Sequence, residues 1–452
     1  MKQYPNYRQT DQIWLREIPE HWDTKKIKYI FSERVEKGYP DEPLLVSSQS
    51  MGVIPKEMYA NRTVEAQKDF HLLKLVKIGD FVISLRSFQG GIEYAHYQGI
   101  ISPAYTIMVN KGNIDSAYFR LLAKSSQFIK LLQMCVTGIR EGQNIDYKKL
   151  KNFSLPIPPR PEQEQIVRFL DWKVSKINRL IEVKKKQIKE LCELKKTIVN
   201  DAVTHGLHPD VPMKDSGVDW LGEIPAHWTI TKLRKILHPF SEKNHPELPL
   251  LSVVREQGVV VRDIENKESN HNFIPDDLSG YKMVKKGQFA MNKMKAWQGS
   301  YGVSDYTGIV SPAYFIFDVE FDNLEYFHYA IRSKVYVNFF AQASDGIRVG
   351  QWDLSMQKMK EIPFIIPPKK EQEEIVAYIP KTFEKYEKAI STLEQEIAFL
   401  HELKASLISD VVTGQVDVRE MEIPDCEYAD EELRAELRGD FYRKMGGEVN
   451  EE

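Results

Sequence analysis

The sequence predicts a mixed α/β (α+β) protein in which two globular domains in tandem are separated by two long helices. Three observations lead there. The first is an internal duplication. Trp14 to Trp22 (WLREIPEHW) returns as Trp220 to Trp228 (WLGEIPAHW), and Gly99 to Tyr105 (GIISPAY) returns as Gly308 to Tyr314 (GIVSPAY). Gly138 to Gln143 (GIREGQ) is answered by Gly346 to Gln351 (GIRVGQ). IPPRPEQEQIV from Ile157 matches IPPKKEQEEIV from Ile366, and LCELKKTIVNDAVT from Leu191 matches LHELKASLISDVVT from Leu400. The offset stays between 206 and 209 residues. Solenoid repeats run to only ~20–50 residues, so the duplicated object is a domain.

The second observation is the character of each copy's first part. Short apolar runs such as Leu44 to Val46, Phe81 to Ser84 and Ala104 to Met108 are broken by Gly, Pro and Asn, as strands are. A helix is expected from Ser116 to Met134. Strands and helices alternate without a βαβ rhythm, which points to α+β rather than a parallel sheet.

The third is a seven-residue apolar seam. Each copy ends in a helix that opens after a Pro-Pro pair, Pro158-Pro159 or Pro367-Pro368, where proline imposes an extended start. Steps of seven from Leu170 reach Ile177, Lys184, Leu191 and Ile198, accompanied by Val174, Ile181, Ile188 and Lys195. The second copy gives Ile379, Tyr386, Leu393, Leu400 and Leu407, with Phe383, Ile390, Ile397 and Lys404. Such a seam argues for two helices packed on each other as a coiled coil, each about 60 Å long at ~1.5 Å per residue. Pro380 is expected to kink the second helix or delay its start. The resulting boundaries are 1–157 and 207–366 for the globular domains, 158–206 and 367–413 for the helices, and 414–452 for a tail outside the repeat.

Composition narrows the class. The chain has 452 residues, with 62 Lys+Arg against 65 Asp+Glu and a formal net charge of −3. The balance is uneven: residues 414–452 carry a net −8, leaving the duplicated body at +5. The tail reads as a peripheral helix, over Glu431 to Arg438, or a flexible acidic segment. No apolar run approaches the ~18 residues of a membrane span, and the polar start MKQYPNYRQTDQIW is unlike a secretory signal. Cys135, Cys192 and Cys426 are widely spaced and odd in number, which suits a reducing cytoplasm rather than a disulfide framework or zinc site.

Recognisable catalytic motifs do not appear. There is no G-x-x-x-x-G-K-[ST] loop, H-E-x-x-H helix or G-x-S-x-G elbow. Nor does a glycine cluster follow a strand as in a dinucleotide site. The Pro-Pro pairs follow Ile, not the Asn or Asp with which an amino-methyltransferase grips its target. His21 and His227 each lie between a Glu-Ile-Pro turn and a Trp, where a hydrogen-bonded turn residue is expected, not a catalytic one.

The paired WLREIPEHW and WLGEIPAHW segments, the paired Pro-Pro…Glu-Gln-x-x-Ile helix starts and the paired Leu-x-Glu-Leu-Lys…Asp-x-Val-Thr helix ends together resemble one family, over residues 10 to 415. That family is the DNA-specificity subunits of type I restriction–modification systems. The resemblance implies two target-recognition domains alternating with two helices packed antiparallel, with pseudo-two-fold symmetry. It implies a non-catalytic subunit that binds double-stranded DNA at a bipartite, asymmetric target. It also implies two methyltransferase subunits and ATP-dependent restriction/translocase subunits as partners, carrying out adenine methylation or cleavage. No cofactor is expected on this chain; S-adenosylmethionine belongs to the partner methyltransferase, and ATP and Mg to the translocase.

Base readout needs polar and basic side chains that reach base edges. The best candidates lie in loops at equivalent positions that differ between copies. After the first strand these are Gln49 in the first copy, and Arg255 and Gln257 in the second. After the next strand they are Arg86, Ser87 and Gln89, and Lys293, Lys295, Trp297 and Gln298, where Trp297 either stacks on a base or lies buried. A third loop repeats Arg140 and Gln143 as Arg348 and Gln351, which suits a shared phosphate contact or loop scaffold. Trp14, Trp22, Trp220 and Trp228 are expected to anchor each domain to a helix end. Off-seam Leu180, Val183, Leu194, Phe399 and Leu403 are candidates for docking the methyltransferase or the chain's own domains. The competing reading is a coiled-coil scaffold for two domains that do not bind DNA.

Overall fold

The computed structural model describes residues 2–49, 51–59, 69–137, 144–219, 221–263, 274–275, 277–348 and 351–424. The chain divides into two units, Met1–Lys184 with Glu394–Glu452, and Lys185–Leu393. Each is a mixed α/β body that includes part of each long helix.

In unit 1 an antiparallel sheet takes the order Phe31–Arg34, Thr106–Asn110, Phe81–Ile83, Glu93–Tyr94. Its central residues Phe81, Ile83 and Met108 are buried, and Phe31, Phe81 and Phe119 pack edge-on or tilted, with centroids 4.6–5.8 Å apart. Two helices, Ser116–Leu122 and Ser126–Met134, cover it. The single helix expected from Ser116 to Met134 is therefore interrupted. Ser125 stops the first helix by donating its hydroxyl to Leu122 O, and caps the second by accepting from Phe128 N. The strand Ser154–Ile157 pairs with Asp23–Lys26 and leads through the prolines into the helix Arg160–His205.

Unit 2 repeats this plan. Its sheet runs Leu237–Phe240, Tyr314–Val319, Phe289–Asn292, Tyr301–Val303, and its covering helices are Leu324–Ile331 and Lys334–Gln342. Pro363–Ile366 pairs with Thr229–Lys232 and feeds the helix Lys369–Val412. That helix runs unbroken through Pro380, so the proline does not delay its start.

Inside each unit the helix segments pack on the body and on one another. In unit 1 Ile177, Ile181 and Leu407 join the core, with Ile397, Leu400 and Ile408 against it. Lys184 Nζ lies 2.6 Å from Glu396, and Lys404 Nζ donates to Asn178 at 2.8 Å. Partner numbers rise on one segment as they fall on the other, so the pairing is antiparallel. In unit 2 Ala202, Val203, Ile375 and Ile379 are core, and Lys195 Nζ meets Glu387 at 2.8 Å beside the Phe383 ring. The polar residues that interrupt the seam thus make the cross-helix polar contacts.

Residues 414–424 differ from expectation. They form part of the unit 1 core: Val418 is fully buried, Val416, Met421 and Ile423 pack beside it, and Gln165 donates to the carbonyls of Val418 and Met421. Burial of three or four apolar side chains outweighs the segment's charge. Glu431 to Arg438 lies outside the described residues.

Candidate nucleic-acid interface

Each body is anchored to its helix by one carboxylate. In unit 1 Glu162, in the first turn of Arg160–His205, accepts from Trp22 Nε1 at 3.0 Å and Tyr4 Oη at 2.5 Å, with His21 Nε2 at 2.8 Å. Burial and this carboxylate push the Tyr4 phenol well above its ordinary value. In unit 2 Glu371 accepts from Trp228 Nε1 at 2.8 Å, with His227 Nε2 at 2.5 Å. The negative charge at a helix N-terminus also complements the helix dipole. The sequence placed Trp22 and Trp228 at helix ends but missed their acceptor, which is the Glu of each Pro-Pro…Glu-Gln start. Trp14 packs edge-on against Phe128 in the core, and Trp220 lies outside the described residues.

On this frame the candidate loops come in pairs. In unit 1 the hairpin Leu45–Ser48/Gly52–Pro55 carries Gln49 in its turn. The loop after Phe81–Ile83 folds into a short helix, Ser87–Gly90. The two loops touch: a Cβ placed on Gly90 would fall 2.5 Å from Gln49 Cδ. Gln49, Arg86 and Gln89 are exposed. Ser87 is not, at 1% exposure, and its hydroxyl accepts from Ser84 N; it closes the loop from inside. Arg140 and Gln143 lie outside the described residues.

In unit 2 the hairpin Leu251–Val254/Gly258–Val261 exposes Arg255 and Gln257. The following loop contains the short 3-10 turn Ala296–Gln298. Lys295 is exposed there, Gln298 is half-buried, and Lys293 is half-buried with its Nζ 3.2 Å from Asp353. Trp297 is half-buried against Trp352, ring centroids 5.1 Å apart, and its Nε1 has no partner among the described residues. Trp352 escaped notice in the sequence because a lone aromatic beside a glycine loop carries no periodic signal. The backbones of Arg348 and Gln351 face each other across a hairpin, Ser344–Arg348/Gln351–Leu354. Of the off-seam apolar residues, Leu180, Val183 and Leu194 are about half exposed, Phe399 is 63% exposed and Leu403 42%.

Among the described residues no group of three or more His, Cys, Asp or Glu could hold a metal, and no helix is long and apolar enough to cross a membrane. Cys135 is buried, which pushes its thiol up to about 11.

Residues 19–191 match the family model of the type I restriction modification DNA specificity domain. A Methanocaldococcus jannaschii protein assigned as the type I restriction enzyme MjaX specificity subunit is 25% identical over 247 residues, covering 50% of this chain and 55% of that protein. The type I restriction enzyme MjaVIII specificity subunit of the same organism is 27% identical over 235 residues, covering 49% and 50%. The chain thus spans about half the length of the curated relatives it matches. A chain solved in a study of complex assembly and conformational transition of the type I R-M system shares the fold. Its TM-score is 0.56 at 12% identity, over 88% of this chain and 99% of that one. The matched region contains Gly99 to Tyr105, Gly138 to Gln143 and the helix start from Ile157, each of which recurs in the second half of the chain. Over residues 19–191, and over about half of the chain in the curated relatives, this protein is similar to the specificity subunits of type I restriction–modification systems.

Proposed function

We propose that this chain is the non-catalytic, sequence-specific DNA-binding subunit of a type I restriction–modification complex. In this reading residues 1–157 and 207–366 are two target-recognition domains. Residues 158–206 and 367–413 form an antiparallel coiled-coil spacer, and the domains are related by a pseudo-two-fold axis. The observation that carries it is the repeated loop pair, one frame presenting Gln49, Arg86 and Gln89 in one unit and Arg255, Gln257, Lys295 and Trp297 in the other. Two like frames with unlike side chains would read two different half-sites of double-stranded DNA. A rigid spacer would hold them at a fixed separation, as dimeric repressors hold half-sites one turn (~34 Å) apart.

Base flipping and methyl transfer would be done by two methyltransferase subunits carrying S-adenosylmethionine, and cleavage by restriction/translocase subunits using ATP and Mg. The exposed Leu180, Val183, Leu194, Phe399 and Leu403 suit a methyltransferase docking surface. A duplicated body at only +5 leaves much of the phosphate neutralisation to those partners. The setting is cytoplasmic.

Selection of randomised duplex DNA on the full chain with an adenine methyltransferase partner tests the reading. The expected product is two unlike short half-sites with an unspecified gap of one helical turn or less, bound less tightly as salt rises. Enrichment of one continuous site or a palindrome, or no enrichment, overturns it.

A further inference from the structure

A basic residue sits at the break between the two covering helices of each unit, and it points inward at the candidate readout loops rather than out to solvent. In unit 1 this is Lys124. Its ammonium donates to Gln49 O at 3.2 Å and Gly90 O at 3.0 Å, and pairs with Glu93 Oε1 at 2.5 Å. Three donors meet three acceptors, so the cation is fully used. Gln49 and Gly90 belong to the two different loops, so one side chain ties both together.

The equivalent residue in unit 2, 208 positions later, is Arg332. Its Nη2 donates to Arg255 O at 3.1 Å and Glu256 O at 2.9 Å, and its Nη1 to Tyr301 O at 2.7 Å. Again a single cation joins the hairpin turn to the segment that follows the second loop. The fit is close, since a Cβ on Gly258 would lie 2.7 Å from Nη1.

We propose that Lys124 and Arg332 are positioning residues for sequence readout, Lys124 clamping the two recognition loops of unit 1 and Arg332 holding the hairpin turn of unit 2 to the strand that leaves its second loop. This inference rests on the DNA-reading function above. The argument is in the choice of acceptors. Apart from Glu93, each cation holds main-chain carbonyls, which every amino acid supplies. The loop side chains are therefore free to differ between units while the backbone that presents them stays fixed. Bidentate base recognition needs side chains held within about 0.5 Å, and short surface loops do not hold that alone. An apolar plug would fill the same space but strip this cation from two carbonyls and a carboxylate in unit 1 and from three carbonyls in unit 2.

The test uses the full chain with its methyltransferase partner and the randomised duplex selection. Lys124→Met is expected to broaden base preference in one half-site, with at least tenfold less discrimination against single mismatches there, and Arg332→Met to do so in the other. Lys124→Arg and Arg332→Lys, which keep the cation, are expected to restore most of it. The slope of affinity against salt stays unchanged, because neither group contacts phosphate; a slope reduced by about one would make them DNA contacts and overturn the proposal. Unchanged discrimination, or equal loss in both half-sites, would overturn it too. If a methionine variant does not fold, Lys124→Gln or Arg332→Gln carries the same comparison. A wild-type chain that selects no duplex removes the functional reading itself. One that selects normally alongside indistinguishable variants removes only the clamp.

Discussion

At the foot of unit 1, Glu162 accepts hydrogen bonds from Tyr4 and Trp22 and pairs with His21, and its side chain is 5% exposed. At the same place in unit 2, Glu371 serves only His227 and Trp228 among the described residues, and is 20% exposed. Under the loops the contrast is sharper. Unit 1 sets Lys124 against a buried carboxylate, Glu93; unit 2 has Gly302 at that position and Arg332 on carbonyls alone. The geometry of the frame is kept while its buried charges change. Main-chain and helix-end contacts carry the shape, so charge at other positions is free to differ.

The largest expected effect breaks the anchors. Glu162→Ala leaves two buried donors, the Tyr4 hydroxyl and the Trp22 indole, without an acceptor. At ~1–3 kcal/mol for each stranded group, unit 1 should lose about 4 kcal/mol. Glu371→Ala strands only the Trp228 indole and should cost unit 2 about 2 kcal/mol. Pulse proteolysis with mass spectrometry of the fragments resolves the units. Equal losses would mean that Tyr4 adds nothing to the anchor.

A second comparison concerns two positive-φ glycines beside the clamps, one in each unit. Gly91 has φ +90° and a Cβ there would fall 2.2 Å from the carbonyl oxygen of Ala123, next to Lys124. Gly299 has φ +91°, but its Cβ would meet only Val337 Cγ2, at 3.3 Å. Gly299→Ala should cost about 1–2 kcal/mol for the left-handed backbone. Gly91→Ala adds a main-chain collision and should cost about 3 kcal/mol. Equilibrium denaturation of the two variants checks the order, and a reversed order would place the strain elsewhere.

The frame was legible because its determinants are linear motifs. Trp-Leu-x-Glu-Ile-Pro-x-His-Trp and Pro-Pro…Glu-Gln lie in contiguous stretches, and their repetition at one offset announces a duplicated body before any packing is known. The break at Ala123–Ser125 was not legible, since no Gly or Pro marks it; Ser125 ends the helix through a cap that a mid-helix serine equally could have declined. Lys124 and Arg332 escaped for a related reason. A basic residue at a helix end reads as solvated surface, and only the folded loops supply the carbonyls that draw it inward. Ser87 misled in the opposite sense, polar enough for readout yet turned into its own loop. The packing of 414–424 was hidden by the net charge of a tail whose apolar residues are few but contiguous with the core.

The smallest expected effect is in pH, where the two units should move in opposite directions. Burial pushes the Glu93 carboxyl up from 4.5 to about 7, against the opposing pull of Lys124. Its contribution to unit 1 is therefore fully present below pH 4.5 and is lost as pH rises to about 7, because the unfolded chain releases its proton first. His328, whose Nδ1 accepts from Val303 N, is pushed down from 6.5 to about 4 by burial and then by the Arg332 charge. Its contribution to unit 2 is fully present above pH 6.5 and is lost as pH falls toward 4. Unit 1 should therefore gain on unit 2 as the solution is acidified from pH 7 to 4.5. Glu93→Gln should flatten the profile of unit 1 alone, and His328→Gln that of unit 2 alone. Unit-resolved proteolysis across pH 4–8 reads both; parallel profiles in the wild type would show that the buried charges beneath the loops do not differ in effect as they differ in identity.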